Sequence, residues 1–267
     1  MQIPDSPQRN GKTGLPESLY DDRFFKDLTA RSLASARVVV PKLISLLNPR
    51  SILDVGCGEG AWLSVFNENG INDCYGIDGD YVDCAKLLIN ERQFLAADLS
   101  LPFNLGRKFD LAICLEVAEH LPDSCADDLV SSLAAHAECV VFSASIPFQD
   151  GTGHINEQWP AYWARKFEGI GYKAHDCIRP AIWNENSVGW WFAQNMIIYS
   201  TAEYAKKHVG LGEVAGYPLS LVHPGLLLHK EERHECYMSQ CSSMRWLCRQ
   251  LARAAWKKLT SKAFLIK

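Results

Sequence analysis

The stretch Ser51-Ile-Leu-Asp-Val-Gly-Cys-Gly-Glu-Gly60 constrains this chain more than any other. Ile52, Leu53 and Val55 make a short apolar run suited to a buried strand. Gly56, Gly58 and Gly60 then leave a turn almost bare of side chains. Trp62, Leu63, Val65 and Phe66 give the next stretch one apolar helical face. Strand, glycine turn and helix in that order form the first βα unit of a doubly wound sheet. In such a unit a ligand lies over exposed backbone at the helix N-terminus.

The alternation continues down the chain. A second apolar run ends at Asp78, a third (93–97) ends at Asp98, a fourth (109–115) at Glu116, and a fifth covers 139–145. Helical patterns are expected at 20–40, at 43–47 after a break at Pro41, at 80–90 and at 123–137. Two later runs, 172–178 and 192–199, read as further strands. Alternating strand and helix predicts a mainly parallel sheet. Asp54, Asp78 and Asp98 at three successive strand ends would line one crevice at its C-terminal edge. Asp78 stands 20 residues after Gly58, where a carboxylate can accept ribose hydroxyls. Gly56, Gly58 and Ala61 also fit a dinucleotide turn, so these residues indicate a nucleoside site without choosing its cofactor.

Taken in order, Asp-Val-Gly-Cys-Gly-Glu-Gly at 54–60, Tyr-Gly-Ile-Asp at 75–78, Ala-Ala-Asp-Leu at 96–99 and Phe-Asp-Leu-Ala-Ile-Cys-Leu-Glu-Val-Ala-Glu-His-Leu at 109–121 resemble the class I S-adenosylmethionine (SAM) dependent methyltransferases. The resemblance spans about 35–200. Gly-Thr-Gly-His-Ile-Asn-Glu-Gln-Trp-Pro-Ala-Tyr-Trp at 151–163 and Trp-Trp-Phe-Ala-Gln-Asn at 190–195 look like a bacterial subgroup tied to surface glycans. The family implies an α/β, Rossmann-like, doubly wound and mostly parallel seven-stranded sheet with an antiparallel last strand. It implies SAM as cofactor, with Asp54, Gly56, Cys57 and Gly58 near the methionine portion, Asp78 and Gly79 at the ribose, and Asp98 with Leu99 at the adenine. Glu116 would face the cofactor mouth.

The substrate side is read from the loop after the fifth strand. His154, Asn156, Glu157 and Gln158 lie among Trp159, Tyr162 and Trp163, and polar groups between aromatic rings suit a polyhydroxyl acceptor. Transfer to a neutral hydroxyl requires loss of its proton, and histidine is the side chain whose ordinary pKa suits that task. His154 is therefore the candidate base, with Glu157 orienting it and His120 as a second candidate. Asn156, Trp159 and Arg179 are candidate acceptor contacts. His154 and Glu157 could also be two metal ligands, but no third stands at a metal-binding spacing, so no metal is assigned. The expected reaction is methyl transfer to an oxygen of a small or glycan-type acceptor. The alternatives are transfer to nitrogen, or a non-catalytic SAM-binding scaffold.

Composition sets the remaining bounds. The chain has 267 residues and a net charge of −4, which argues against a nucleic-acid partner. Its ten cysteines include no C-x-x-C pair and fit buried free thiols of a cytoplasmic protein. Residues 1–18, rich in Pro and Gly, read as a flexible arm, 19–200 as the methyltransferase domain and 201–240 as a docking extension. The last segment, 241–267, has seven Lys or Arg and no acids, with Arg245, Arg249, Arg253 and Lys257 four residues apart. It reads as a basic amphipathic helix that could meet an anionic inner membrane face or a partner protein.

Overall fold

The computed structural model describes residues 22–212 and 216–242, together with 248, 249 and 251–253. The expected arm and most of the basic tail lie outside these residues. The chain runs α1 (Asp22–Leu47), β1 (Ser51–Val55), α2 (Ala61–Glu68), β2 (Asp73–Asp78), β3 (Phe94–Ala96), β4 (Leu111–Leu115), α3 (Ala126–His136), β5 (Cys139–Ser143) and α4 (Pro160–Gly169). It continues through β6 (Tyr172–His175), α5 (Ile178–Ile182), α6 (Trp190–Asn195), β7 (Ile197–Thr201), α7 (Ala202–Lys207) and α8 (Pro224–Ser242). One seven-stranded sheet has the order β3-β2-β1-β4-β5-β7-β6. The first five strands are parallel, and β7 is antiparallel to both β5 and β6. The expected sheet is therefore present.

Period-two alternation divides the core between the two faces of the sheet. Ile52, Leu111, Ile113, Val141 and Ile198 face α1, α2, α5 and α6. Leu53, Val55, Ala112, Cys114, Val140 and Phe142 face α3 and α4. On that second face Phe167 stacks on Tyr199 with centroids 4.0 Å apart. Because β2 and β4 flank β1, the chain leaves β1 and β4 toward opposite sides of the sheet. This is the point where open α/β sheets form a ligand crevice.

Three local expectations are corrected. Pro41 does not break the first helix, which is continuous from Asp22 to Leu47. Pro41 is exposed, so the Arg37 carbonyl that it leaves unpaired can meet solvent, while Val39, Val40, Leu43 and Leu47 bury the opposite face. Residues 80–90 form turns and a short 3-10 helix (Cys84–Lys86) instead of an α-helix. Asp83 takes the Ala85 N–H, and the Leu88 N–H donates to the Glu59 carbonyl, drawing the segment onto the glycine turn. The run 192–199 is not one strand: α6 ends at Asn195 and β7 begins at Ile197. Phe192-Ala-Gln-Asn-Met-Ile-Ile-Tyr199 is too short and too nearly apolar to carry a period that separates the two states.

Candidate active site

The glycine turn is fastened from below. The Gly56 and Cys57 N–H groups donate to the Ile77 carbonyl at 2.7 and 3.2 Å. The Gly58 N–H donates to Asp78 Oδ2 at 2.6 Å, and the Gly79 N–H and Tyr81 hydroxyl donate to Asp78 Oδ1. Asp78 thus ties β2 to the turn while sitting at the crevice. Gly56 has φ +80°, and a Cβ there would lie 2.1 Å from Val117 Cγ2. Gly58 has φ +53°, and a Cβ there would point into open space. Asp54 is buried with Oδ2 unpartnered, and burial, then the Asp78 charge, holds its carboxyl well above the usual range. The Cys57 side chain lies under the turn: a Cβ on Gly76 would stand 2.6 Å from its sulfur, so Cys57 offers the crevice backbone only.

At the end of β3, Asp98 is exposed and Oδ1 accepts from the Ser100 N–H and hydroxyl at 2.9 and 2.6 Å. Those bonds hold its carboxyl below the usual range. Leu99 is half-buried against the core on the α3–α4 side.

The end of β4 carries a polar cluster. Glu116 adopts φ +56°, the left-handed region, and its N–H donates to the Ser143 carbonyl at 3.0 Å. A bulky residue in that region is a local strain of the kind found at functional sites. Its carboxylate accepts from Asn195 Nδ2 at 3.1 Å and Gln149 Nε2 at 3.2 Å. Ser145 Oγ donates to Glu119 Oε1 at 2.9 Å, and Gln194 Nε2 donates to Gln149 Oε1 at 2.9 Å. Glu119 is fully buried, and burial, then the Glu116 charge, pushes its carboxyl well up. Burial raises Glu116 as well, against the bonds from Asn195, Ser143 and Gln149. With Glu116 half-buried and Glu119 fully buried, two carboxyls this close call for either a proton or a cation beside them. Glu116 spends acceptors on neighbouring amides, so it shapes the wall of the mouth more than it offers a free carboxylate. Sequence reading missed Ser145 and Gln149, which join this cluster only through the fold.

The loop after β5 folds back over the cluster. The Ile155 and Asn156 N–H groups donate to the Glu119 carbonyl at 2.8 and 3.1 Å. His154 Nδ1 lies 2.9 Å from Glu157 Oε1, and Glu157 Oε2 accepts from the Phe148 N–H at 2.8 Å. The His154 ring stands edge-on to His120 with centroids 4.9 Å apart. Burial, then the His154 imidazole, lowers the pKa of His120, opposed by a hydrogen bond with the Gly153 backbone and by the Asp78 charge. Asn156 is buried with Nδ2 unpartnered, and Trp159 is 39% exposed at the start of α4. The fold therefore brings His120, His154, Glu157 and Asn156 together beside Glu116. It does not bring Arg179, which is 1% exposed. Its guanidinium pairs with Asp176 and donates from Nη1 to the Gln194 and Leu219 carbonyls at 3.2 and 3.0 Å. The acceptor role expected of Arg179 is corrected to that of a buried clamp.

The profile of the methyltransferase domain family matches residues 22–195. The chain belongs to that family. The sugar N-methyltransferase KedS8 from a Streptoalloteichus species is similar over 75% of this chain and 98% of its own, at 18% identity and TM-score 0.51. SAM-bound CalS10, an amino pentose methyltransferase from Micromonospora echinaspora, is similar over 70% and 100%, at 16% identity and TM-score 0.50. An O-methyltransferase assignment from Nostoc punctiforme is similar over 67% and 59%, at 13% identity and TM-score 0.50. At these identities the likeness is one of fold. No curated protein matches the chain. Family and sheet topology make it a class I SAM-dependent methyltransferase, an enzyme. The residues present fit that cofactor: open space stands above Gly58, a buried Asp54 oxygen lacks a partner, and Asp78 closes β2 beside them.

Proposed function

We propose that this methyltransferase acts on an oxygen of a small or glycan-type hydroxylated acceptor. The observation that carries the reading is the His154–Glu157 pair at the crevice mouth, its carboxylate fixed by the Phe148 N–H. When bound, SAM would supply a sulfonium methyl to the acceptor oxygen, the C–O bond forming as the C–S bond breaks and S-adenosylhomocysteine leaves. Asp54 and the glycine turn would take the methionine portion, with the unpartnered Asp54 oxygen facing its ammonium. Asp78 and Gly79 would take the ribose, and Asp98 with Leu99 the adenine side. His154 takes the acceptor's proton as Glu157 orients its ring and His120 packs at its edge. Asn156 Nδ2 offers a hydrogen bond to an acceptor hydroxyl, and Trp159 offers a ring face to a sugar.

A general base accounts for about 10²–10⁴ in rate. His154→Ala is therefore expected to lower kcat on hydroxylated acceptors by roughly that factor, with SAM affinity unchanged in calorimetry. A loss of less than about tenfold contradicts base-assisted oxygen transfer. It would favour transfer to an uncharged amine, which is already nucleophilic.

A further inference from the structure

Beside the cofactor crevice, three side chains bring potential metal-ligating atoms to one point. One ligating atom each from Glu119, His120 and His154 lies within 4.8 Å of the other two. Glu119 is fully buried, and its Oε2 has no hydrogen-bond partner while Oε1 is engaged by Ser145. A buried carboxylate oxygen left without a donor is costly unless something is there to meet it. His154 Nδ1 is engaged by Glu157, which leaves the other nitrogen of that ring for a ligand. A carboxylate behind a histidine is the usual support of a metal-bound imidazole, fixing its tautomer and raising its basicity.

We propose that Glu119, His120 and His154 form a site for one divalent cation of the Mn²⁺ type. Two imidazoles and one carboxylate are a donor set for first-row divalent ions and leave coordination positions open. At metal–ligand distances of about 2.1 Å, two donors on one ion stand at most about 4.2 Å apart. Three donors around one ion stand about 3.0–3.6 Å apart at that distance, so side chains whose ligating atoms lie within 4.8 Å of one another close by about 1–2 Å to grip it. The sequence hides the site because Glu119 and His120 follow β4 while His154 lies in the loop after β5. The open positions face the mouth where an acceptor hydroxyl would enter, a use that rests on the oxygen transfer proposed above. An ion held there would make His154 its ligand instead of the base, and would acidify a coordinated hydroxyl whose proton passes to solvent water at the mouth.

The test is Mn²⁺ titration of the chelator-stripped full chain, read by electron paramagnetic resonance of the free ion. Mn²⁺ is the probe because the ten thiols of this chain, soft ligands, prefer other metals. One saturable Mn²⁺ per chain is expected, with at least tenfold weaker binding in Glu119→Gln and in His120→Ala. Glu157→Gln, which loses only the support of His154, is expected to weaken binding by about 10–100-fold. Since His120 is exposed, His120→Ala keeps the test valid if the buried Glu119 variant misfolds. No saturable binding, or equal binding by the wild type and both ligand variants, overturns the site. Mn²⁺ binding without methylation of any hydroxylated acceptor would sink oxygen transfer and leave the site standing. Methylation that survives chelation in a chain that takes up no Mn²⁺ would do the reverse.

Discussion

Gly56 and Gly58 stand two residues apart in one turn and respond differently to an added methyl group. At Gly56 the new Cβ meets Val117 at 2.1 Å in a backbone with φ +80°. Left-handed strain of about 1–2 kcal/mol then adds to overpacking of about 1–3 kcal/mol, and Gly56→Ala is expected to lower the unfolding temperature clearly. Gly58→Ala carries the strain alone, because its Cβ enters open space. It is expected to fold, with SAM affinity reduced by about tenfold or more in calorimetry, equivalent to about 1.4 kcal/mol. Equal affinity in Gly58→Ala and the wild type would mean that the cofactor does not lie over this turn. Residues of this kind are legible in a sequence because glycine and strand-end acids announce backbone geometry. Ser145 and Gln149 are not, since their partners Glu116, Glu119 and Gln194 arrive from other elements. Arg179 misled for a related reason: a charged residue near a pocket reads as a ligand contact until Asp176 and two carbonyls are seen to consume it.

Among the elements, β6 carries a pH dependence of its own. His175 closes this edge strand, 4% exposed, with Nδ1 3.1 Å from the Gly212 carbonyl and Nε2 2.9 Å from Ser200 Oγ. Burial pushes its pKa below the ordinary 6.5, against the hydrogen bonds to the 211–212 backbone carbonyls. The neutral ring is therefore favoured in the fold, and the unfolded chain takes up the proton first as pH falls. The stabilisation is complete above pH 6.5 and drains away below it, by at most about 1.4 kcal/mol per pH unit. His175→Gln is expected to flatten the fall in unfolding temperature between pH 7 and pH 5. An unchanged slope would contradict this. The long periodic elements of the chain were readable because burial and sequence period agree. The misread stretches are those where tertiary context decided. An exposed Pro41 rides on a well-buried helix, Leu88 is drawn to the Glu59 carbonyl, and the mostly apolar 192–199 run divides between α6 and β7.

For the molecule as a whole, the reversal of strand order at β1 places the glycine turn, the end of β4 and the loop after β5 on one edge of the sheet. Cofactor and acceptor groups therefore meet although they lie about a hundred residues apart. Among the described residues no helix is long and apolar enough to cross a membrane. The account stands on an adenosyl sulfur cofactor over the glycine turn, and thermal unfolding with SAM, S-adenosylhomocysteine and NAD tests it most directly. A ligand at about 100 times its dissociation constant adds roughly 2.7 kcal/mol. For a chain of this size that is a rise of about 5–10 °C. The expected result is such a rise with SAM and with S-adenosylhomocysteine and none with NAD. A rise with NAD alone would contradict the account.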